Sequence, residues 1–370
     1  MPTNRLHRVA IKGFKTCRDV TLDLKQLNVL IGPNGAGKSN LIGFFRLMSW
    51  LIASPTQLQL FVGRSGGAST LLFDGPERTR EIEATLTMES EDGDHGYRFR
   101  LVHAAGDTLI FADEACRYSS KQLSTQARWR SLGAGHRETE LVPRAAAGDK
   151  TARFILNLMR RYVVYQFHNT SETARVRGKW DASDGRHLKE DAANLGAFLH
   201  RLEETRSEHY SVIVETLRQI LPFFADFELE PYDGRIMLQW REVGSDVIFG
   251  AHQASDGMLR TMALVTLLLQ PVEELPSLII LDEPELGLHP FALGVVAGLI
   301  RAASRQRQVL IATQSTALID HFEPDDVIVL ERMDRASTLT RLDETLLDEW
   351  LKDYSLSELW EKNVIGGRPA

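Results

Sequence analysis

At residues 32–39 the chain reads Gly32-Pro33-Asn34-Gly35-Ala36-Gly37-Lys38-Ser39. The apolar run Leu27-Asn28-Val29-Leu30-Ile31 comes directly before it and has the composition of a buried strand, and a helical stretch follows to about Leu51. A glycine-rich loop between a strand and a helix lets backbone N–H groups surround phosphate oxygens. This stretch therefore predicts an α/β fold built around a phosphate loop.

The residue types of the loop point to a nucleotide with Mg²⁺. Lys38 supplies a cation for the β- and γ-phosphates, and Ser39 offers a hydroxyl to Mg²⁺. The alternative, a chance match in a loop, leaves the strand-to-helix setting unexplained. We therefore expect ATP and Mg²⁺ as cofactors. The predicted nucleotide contacts in this loop are Asn34, Gly35, Ala36, Gly37, Lys38 and Ser39.

A second apolar strand, Leu278-Ile279-Ile280-Leu281, runs into Asp282-Glu283. A strand that ends in two carboxylates can place Asp282 near Mg²⁺ and leave Glu283 to orient and deprotonate an attacking water. The alternative is a strand followed by an acidic turn. Because a phosphate loop lies upstream, we favour catalytic and metal roles for this pair.

Two further segments carry weaker signals. Ser255-Asp256-Gly257 opens a helix shortly before the acidic strand, and a plain helix cap at Ser255 would also explain it. The strand Val309–Thr313 ends in Gln314, which is either a turn residue or a polar group at the same sheet edge as the phosphates. The placement of Ser255 27 residues before Asp282 favours a functional role for that segment. Taken alone, Gln314 is more often a turn residue than a catalytic one.

The chain is predicted to have three parts. Residues 1–118 form an N-terminal lobe with the phosphate loop and antiparallel strands, since apolar and polar residues alternate over 82–88 and 97–101. Residues 119–250 form an insertion with polar loops to about 150 and helices near 191–206 and 209–221. Residues 251–370 alternate helices and strands, which implies a mostly parallel core sheet.

Composition excludes several classes of protein. The 370 residues carry a net charge of −7 and are 43% hydrophobic, as in globular proteins, and no apolar run approaches the roughly 20 residues of a membrane span. The N-terminus has no secretory signal, so a cytoplasmic location is expected. Cys17 and Cys116 lie far apart in sequence, which indicates packing roles rather than a disulfide framework or zinc site.

Charge is unevenly distributed along the chain. Residues 117–189 contain 15 Lys and Arg against 6 Asp and Glu, which suits either a solvated surface or a face for nucleic acid. Residues 343–361 are acidic and carry leucine and tryptophan at helical spacing. The apolar faces of this tail either seal the core or dock another protein.

Together these segments resemble the ABC-type ATPases of the SMC/RecF/OLD group. The resemblance covers both ends of the chain, about 150 residues. Its loop ends in Gly-Lys-Ser-Asn, which adds Asn40 to the nucleotide contacts. The similar segments are Ile11–Lys15, Gly32–Asn40, Ser255-Asp256-Gly257 with Arg260, Asp282–Pro290 and Thr313-Gln314-Ser315.

The resemblance implies that two copies sandwich two ATP molecules. Ser255 and Gly257 would then contact the γ-phosphate bound by the other copy, and Gln314 would act as the switch residue. Gln166, at the end of the strand from Tyr162, is the candidate for the glutamine that senses Mg²⁺, although its flanking residues depart from the transporter pattern.

The sequence differs from members of this group in two ways that limit the functions expected of it. Only about 215 residues, without heptads, separate Ser39 from Ser255, so no long coiled-coil arm is expected. Because 56 residues follow Gln314, no nuclease domain is expected after the ATPase. We expect a stand-alone ATPase head that drives or gates a DNA-related process, such as DNA repair or prokaryotic anti-phage defence with a separate effector. Alternatives are a nucleotide-gated scaffold with hydrolysis as a timer, and a small-molecule P-loop kinase.

Overall fold

The computed structural model describes residues 4–54, 56–122 and 127–368. The strands are β1 (Arg5–Phe14), β2 (Cys17–Asp23), β3 (Leu27–Ile31), β4 (Glu81–Glu89), β5 (Gly93–Ala104), β6 (Thr108–Ser120), β7 (Arg130–Gly133), β8 (Tyr162–Tyr165), β9 (Trp180–Asp181), β10 (Phe224–Phe227), β11 (Arg235–Ile236), β12 (Gln239–Glu242), β13 (Ile248–Gly250), β14 (Leu278–Asp282), β15 (Gln308–Ala312), β16 (Val327–Met333) and β17 (Ala336–Arg341). The helices are α1 (Lys38–Ala53), α2 (Gln57–Arg64), α3 (Leu141–Ala146), α4 (Lys150–Met159), α5 (Leu195–Thr205), α6 (Ser207–Ile220), α7 (Asp256–Leu269), α8 (Pro290–Ser304), α9 (Thr316–Ile319), α10 (Glu344–Leu351) and α11 (Leu356–Glu361).

The chain forms two compact units that interleave along the sequence. Unit 1 comprises Met1–Val164, Pro276–Ile280 and Glu323–Ala370, and unit 2 comprises Tyr165–Leu275 and Leu281–Phe322. The division into 1–118, 119–250 and 251–370 stays a prediction about domain organisation. The fold class, an α/β protein with several sheets, is confirmed.

Unit 1 contains the predicted antiparallel side sheet. Its strands run in the order β2-β1-β4-β5-β6-β7, with antiparallel pairing throughout. In β1, Val9 and Ile11 are buried whereas Arg8 and Lys12 are exposed. This alternation follows from the two-residue period of a strand with one face on a core.

Unit 1 also positions the phosphate loop. All five residues of β3 are buried, and β16 pairs with β3 in parallel, Val327 opposite Val29. The chain then turns back through β17, antiparallel to β16. Helix α1 follows the loop and buries Leu41, Phe44 and Phe45.

The prediction of polar loops from Ser119 to Lys150 is wrong in part. Strand β7 pairs with β6, Ser131 opposite Ala115, and α3 buries Leu141. An edge strand with polar outward side chains lacks the alternation that identifies a strand in sequence, and its pairing with β6 supplies the missing stabilisation. Residues 123–126 of this stretch lie outside the described residues.

Unit 2 contains the predicted insertion helices, α5 and α6, beside a three-stranded sheet in the order β10-β12-β13. Helix α5 begins at Leu195 and not near residue 191. The reason is Asn194, which is fully buried and donates to the carbonyl oxygens of Asp184 and His187, while its own side-chain oxygen accepts from Lys189 N. This side chain holds a loop together where the sequence suggests a helix.

The two helices of the C-terminal tail differ in burial. Helix α11 buries Leu359 and Trp360 completely, and the Trp360 indole N–H donates to the carbonyl of Gly367. Helix α10 instead exposes Leu346 and Trp350, which are 78% and 46% exposed. The second helix therefore seals unit 1, and the first presents an apolar face.

Within the described ranges, every helix is too short or too polar to cross a membrane. Both cysteines are buried and free of disulfides, as their spacing predicts.

Candidate active site

The phosphate loop of unit 1 joins β3 to α1 and leaves the helix N-terminus open. Gly37 precedes α1 with φ +111°, in the left-handed region, and no side chain caps the first turn. The N–H groups that begin a helix have no partner within it and carry a partial positive charge. A 16-residue helix that starts on a glycine loop therefore suits a phosphate group.

Lys38 places its charge inside this loop. Its side chain is nearly buried at 6% exposure, and Nζ donates to the carbonyl oxygens of Gly32 at 2.5 Å and Pro33 at 3.2 Å. Asn34, Gly35 and Ser39 are exposed beside it. The loop thus combines a held cation, open N–H groups and an accessible hydroxyl, which fits a triphosphate and its metal.

The hairpin β16–β17 supports the loop from behind. The Ser337 hydroxyl donates to the carbonyl of Ala36 at 2.6 Å and lies 2.8 Å from the hydroxyl of Thr16. Asn40, predicted to contact nucleotide, donates from its amide to Thr16 at 2.9 Å. A Cβ atom on Gly37 would lie 2.0 Å from Ser337 Oγ, and φ is +111°, so a larger residue there would strain the backbone and displace the Ser337 side chain or the loop.

The acidic strand end of unit 2 is built as a shaped pair of carboxylates. Asp282 ends β14 and is 8% exposed, whereas Glu283 adopts φ +46°, a left-handed conformation that is costly for a non-glycine residue. Its backbone N–H donates to Ala312 O at 2.8 Å, which ties the turn to the end of β15. The two carboxylates have different partners, Gln166 for Asp282 and Gln314 for Glu283.

Gln314 contacts Glu283. The Gln314 amide Nε2 donates to Glu283 Oε1 at 2.5 Å. An amide donor on one carboxylate oxygen orients the group and leaves the other oxygen for a further hydrogen bond. The arrangement suits a general base that must hold a water molecule.

Gln166 meets Asp282. Its Nε2 donates to Asp282 Oδ2 at 3.2 Å and to His168 Nδ1 at 3.0 Å. His168 Nε2 lies 2.8 Å from the Asp282 carbonyl oxygen, so the proton is on Nε2 and Nδ1 is the acceptor. Sequence reasoning missed His168, and its only signal was a ring two residues after Gln166.

Glu285 is a second residue that sequence reasoning missed. Its Oε1 accepts from the Thr313 hydroxyl at 2.6 Å and from Gln314 N at 3.1 Å. Burial raises the pKa of Glu285, against the effect of these donors. The side chain therefore fixes the segment that carries Gln314.

Ser255 has the plain capping role that the sequence also allowed. It precedes α7, and its Oγ accepts from Met258 N at 3.2 Å. Gly257 lies close to the segment after the acidic pair, since a Cβ atom there would be 2.5 Å from Gly287 O. Because Ser255 is exposed, its hydroxyl is accessible to a phosphate group, and the predicted phosphate contact stays a prediction.

Three basic residues of the 117–189 stretch are paired within unit 2. Arg175 forms an ion pair with Asp191 at 2.9 Å, and Lys189 forms one with Asp184 at 2.7 Å. Arg177 is bound by backbone carbonyls and Asp256. These contacts reduce the charge that the stretch offers to nucleic acid.

The structure thus brings the predicted residues into two groups. Unit 1 holds the loop with Lys38 and Ser39, and unit 2 holds Gln166, Asp282, Glu283 and Gln314. No cluster of three or more histidine, cysteine or acidic residues is found in the described part of the chain. Unit 1 offers a hydroxyl, and unit 2 offers a carboxylate and an amide oxygen. Each of these is a hard oxygen ligand of the kind that Mg²⁺ takes.

Comparison with known proteins identifies the family and the fold. A family model described as "AAA domain, putative AbiEii toxin, Type IV TA system" matches residues 27–320. The chromosome partition protein Smc of Bacillus subtilis is 29% identical over 92 residues, which is 24% of this chain and 7% of that protein. The chain therefore aligns with only a small part of this relative.

Solved structures show the same fold. An Smc head bound to the C-winged helix domain of ScpA superposes with a TM-score of 0.59 at 17% identity, covering 94% of this chain and 99% of the other. An Smc head with an extended coiled coil, bound to the C-terminal domain of ScpA from Pyrococcus furiosus, gives 0.57 at 15% identity, covering 95% and 99%. The fold is that of an SMC-type ATPase head, and the chain belongs to the AAA domain family described as putative AbiEii toxin, type IV TA system.

Proposed function

We propose that this chain binds ATP with Mg²⁺ and hydrolyses it in sites shared by two copies. The observation that carries the proposal is the pairing in unit 2 of Gln314 with Glu283 and of Gln166 with Asp282. Gln314, the proposed switch residue, thus contacts the proposed base, and Gln166, the proposed Mg²⁺-sensing residue, contacts the proposed metal carboxylate. A chance acidic turn gives no reason for both contacts.

Each residue then has a distinct task. Lys38 and the loop N–H groups would bind the phosphates. The residues that would hold Mg²⁺ are Ser39 in unit 1 and Asp282 and Gln166 in unit 2, and the ion would supply positive charge that neutralises the phosphates. Glu283 takes a proton from the attacking water while Gln314 orients its carboxylate. Ser255 and Gly257 serve the nucleotide of the other copy.

The wider role is also a proposal. The ATPase cycle drives or gates a DNA-related process in the cytoplasm, with a separate effector protein, as in prokaryotic defence. The second candidate, a nucleotide-gated scaffold in which hydrolysis is a timer, is favoured by the exposed Leu346 and Trp350 on α10, a face with the make-up of a protein interface. Turnover that rises with DNA supports the first role, and turnover that rises only with a partner protein supports the second.

Two variants test the enzyme activity. Lys38→Ala should abolish ATP binding by calorimetry, because the cation facing the triphosphate is lost, while Lys12→Ala, at an exposed ion pair on β1, should bind normally. Glu283→Gln should bind ATP and lower turnover by about 100-fold or more, because the amide keeps the shape and removes the base. Binding by Lys38→Ala within a few fold of wild type would refute the loop assignment.

A further inference from the structure

Arg177 is a buried arginine that the catalytic roles above leave unexplained. It ends a short 3₁₀ helix, Arg175–Arg177, and its side chain is only 10% exposed. We propose that Arg177 is a positioning residue that holds Ser255 and Gly257 in the form that acts on the nucleotide of a second copy. This inference rests on the proposed function.

Arg177 contacts residues that precede and follow Ser255 in the sequence. Its Nη1 donates to the carbonyl oxygens of Ala251 at 2.5 Å and Ala254 at 3.1 Å, and its Nη2 lies 3.2 Å from Asp256 Oδ1. One planar guanidinium therefore fixes the backbone before Ser255 and the side chain after it. Hydrogen bonds from a charged donor are about twice as strong as neutral ones, which suits a group that must set a loop conformation.

A second set of contacts links this segment to the carboxylates. Arg177 Nε donates to the carbonyl of Thr170 at 2.9 Å, and Thr170 is 4% exposed. The Thr170 hydroxyl lies 3.3 Å from Arg260 Nη2, which also donates to His168 O at 3.0 Å. His168 in turn contacts the Asp282 carbonyl. Hydrogen bonds thus run without a break from the strand that ends in Asp282 to the segment around Ser255.

This network gives Arg177 a role that a plain surface arginine lacks. Its neighbour Arg175 is 58% exposed and pairs with Asp191, so the two differ in environment while sharing charge and helix. A lysine at position 177 would retain the charge, but its single ammonium cannot match the fork that reaches four acceptors. Lysine substitution therefore separates charge from geometry.

The test uses complementation between variants of the whole chain. Arg177→Lys should fold with an unchanged melting temperature within about 3 °C and bind ATP within about twofold of wild type. Turnover should fall by about tenfold or more, as expected for loss of a hydrogen bond to a charged group. Arg175→Lys is the matched control and should retain turnover.

Mixing assigns the defect to one side of the shared site. Arg177→Lys mixed with Lys38→Ala should regain turnover, because one of the two sites in the mixed dimer has an intact loop and an intact Ser255 segment. Arg177→Lys mixed with Ser255→Arg should stay inactive, because each site then lacks a working segment. The reverse pattern, or normal turnover by Arg177→Lys alone, would overturn the inference.

A parallel mixture separates this inference from the proposed function. Ser255→Arg with Lys38→Ala should also regain activity. If that mixture succeeds and the Arg177→Lys mixture fails, only the role of Arg177 is wrong. If the Ser255→Arg mixture stays inactive, the shared site of the proposed function fails, and the role of Arg177 fails with it.

Discussion

The carboxylate of Glu283 is oriented by its own backbone conformation and by a neighbouring amide. Its left-handed backbone and the Gln314 amide together fix a carboxylate in one orientation. A residue in that conformation persists only when its surroundings hold it, here through the hydrogen bond from its N–H to Ala312. Strain at the proposed base is therefore balanced within unit 2.

Gly37 gives a prediction at the same scale. Gly37→Ala should lower ATP affinity at least about tenfold, because the new Cβ meets Ser337 Oγ and must displace the loop. Gly148→Ala is the matched control, since Gly148 has φ +98° but no atom within 4 Å of the added Cβ. It should lose about 1 kcal/mol of stability from backbone strain and retain ATP affinity.

The double variant Gly37→Ala with Ser337→Ala completes this test by calorimetry. Removing the Ser337 hydroxyl relieves the shortest contact, so part of the affinity should return. Equal affinities for Gly37→Ala and wild type would contradict the structure of the loop.

At the scale of elements, β5 contains a titratable group inside the side sheet. His95 is 7% exposed, stacks on Phe154 with ring centroids 3.7 Å apart, and burial lowers its pKa to about 4. The unfolded chain binds a proton near pH 6.5, whereas the folded chain does so only near pH 4. The free energy of unfolding should therefore fall as the pH drops from about 6.5 to 4, by up to about 3 kcal/mol.

Replacing His95 isolates this contribution. His95→Phe preserves the stack on Phe154 and removes the titration, so its stability should change less than that of wild type between pH 6.5 and 4.5. Urea unfolding at several pH values measures the difference. An identical pH dependence in the two proteins would contradict the role of His95.

Changes in the two tail helices should differ in their effect on stability. Deleting the chain from Ser355 removes the fully buried Leu359 and Trp360, so stability should fall by several kcal/mol, since truncating a buried tryptophan alone costs about 3–5 kcal/mol. Leu346→Ser with Trp350→Ser changes exposed residues of α10 and should leave the melting temperature within a few degrees. An unchanged melting temperature after the deletion would contradict the sealing role.

At the scale of the whole molecule, the sequence predicts those features of the fold and site that depend on residues close together in the chain. The phosphate loop and Asp282-Glu283 each follow an apolar strand, so their local pattern suffices. Thr16 and Ser337 are 321 positions apart and meet through the β16–β17 hairpin, and Arg177 reaches Ala251 across 74 positions. Local sequence patterns do not predict such contacts, because they form only when distant segments pack together.

We propose that ATP joins two copies of the chain through Ser255 and Gly257, and light scattering of Glu283→Gln with ATP and Mg²⁺ measures whether this dimer forms. Slow hydrolysis should let the ATP-bound state accumulate at twice the monomer mass, because Ser255 and Gly257 of each copy then contact the other copy's nucleotide. The same variant carrying Lys38→Ala should remain a monomer. A Glu283→Gln protein that stays monomeric when saturated with ATP would show that the ATP sites are not shared between two copies.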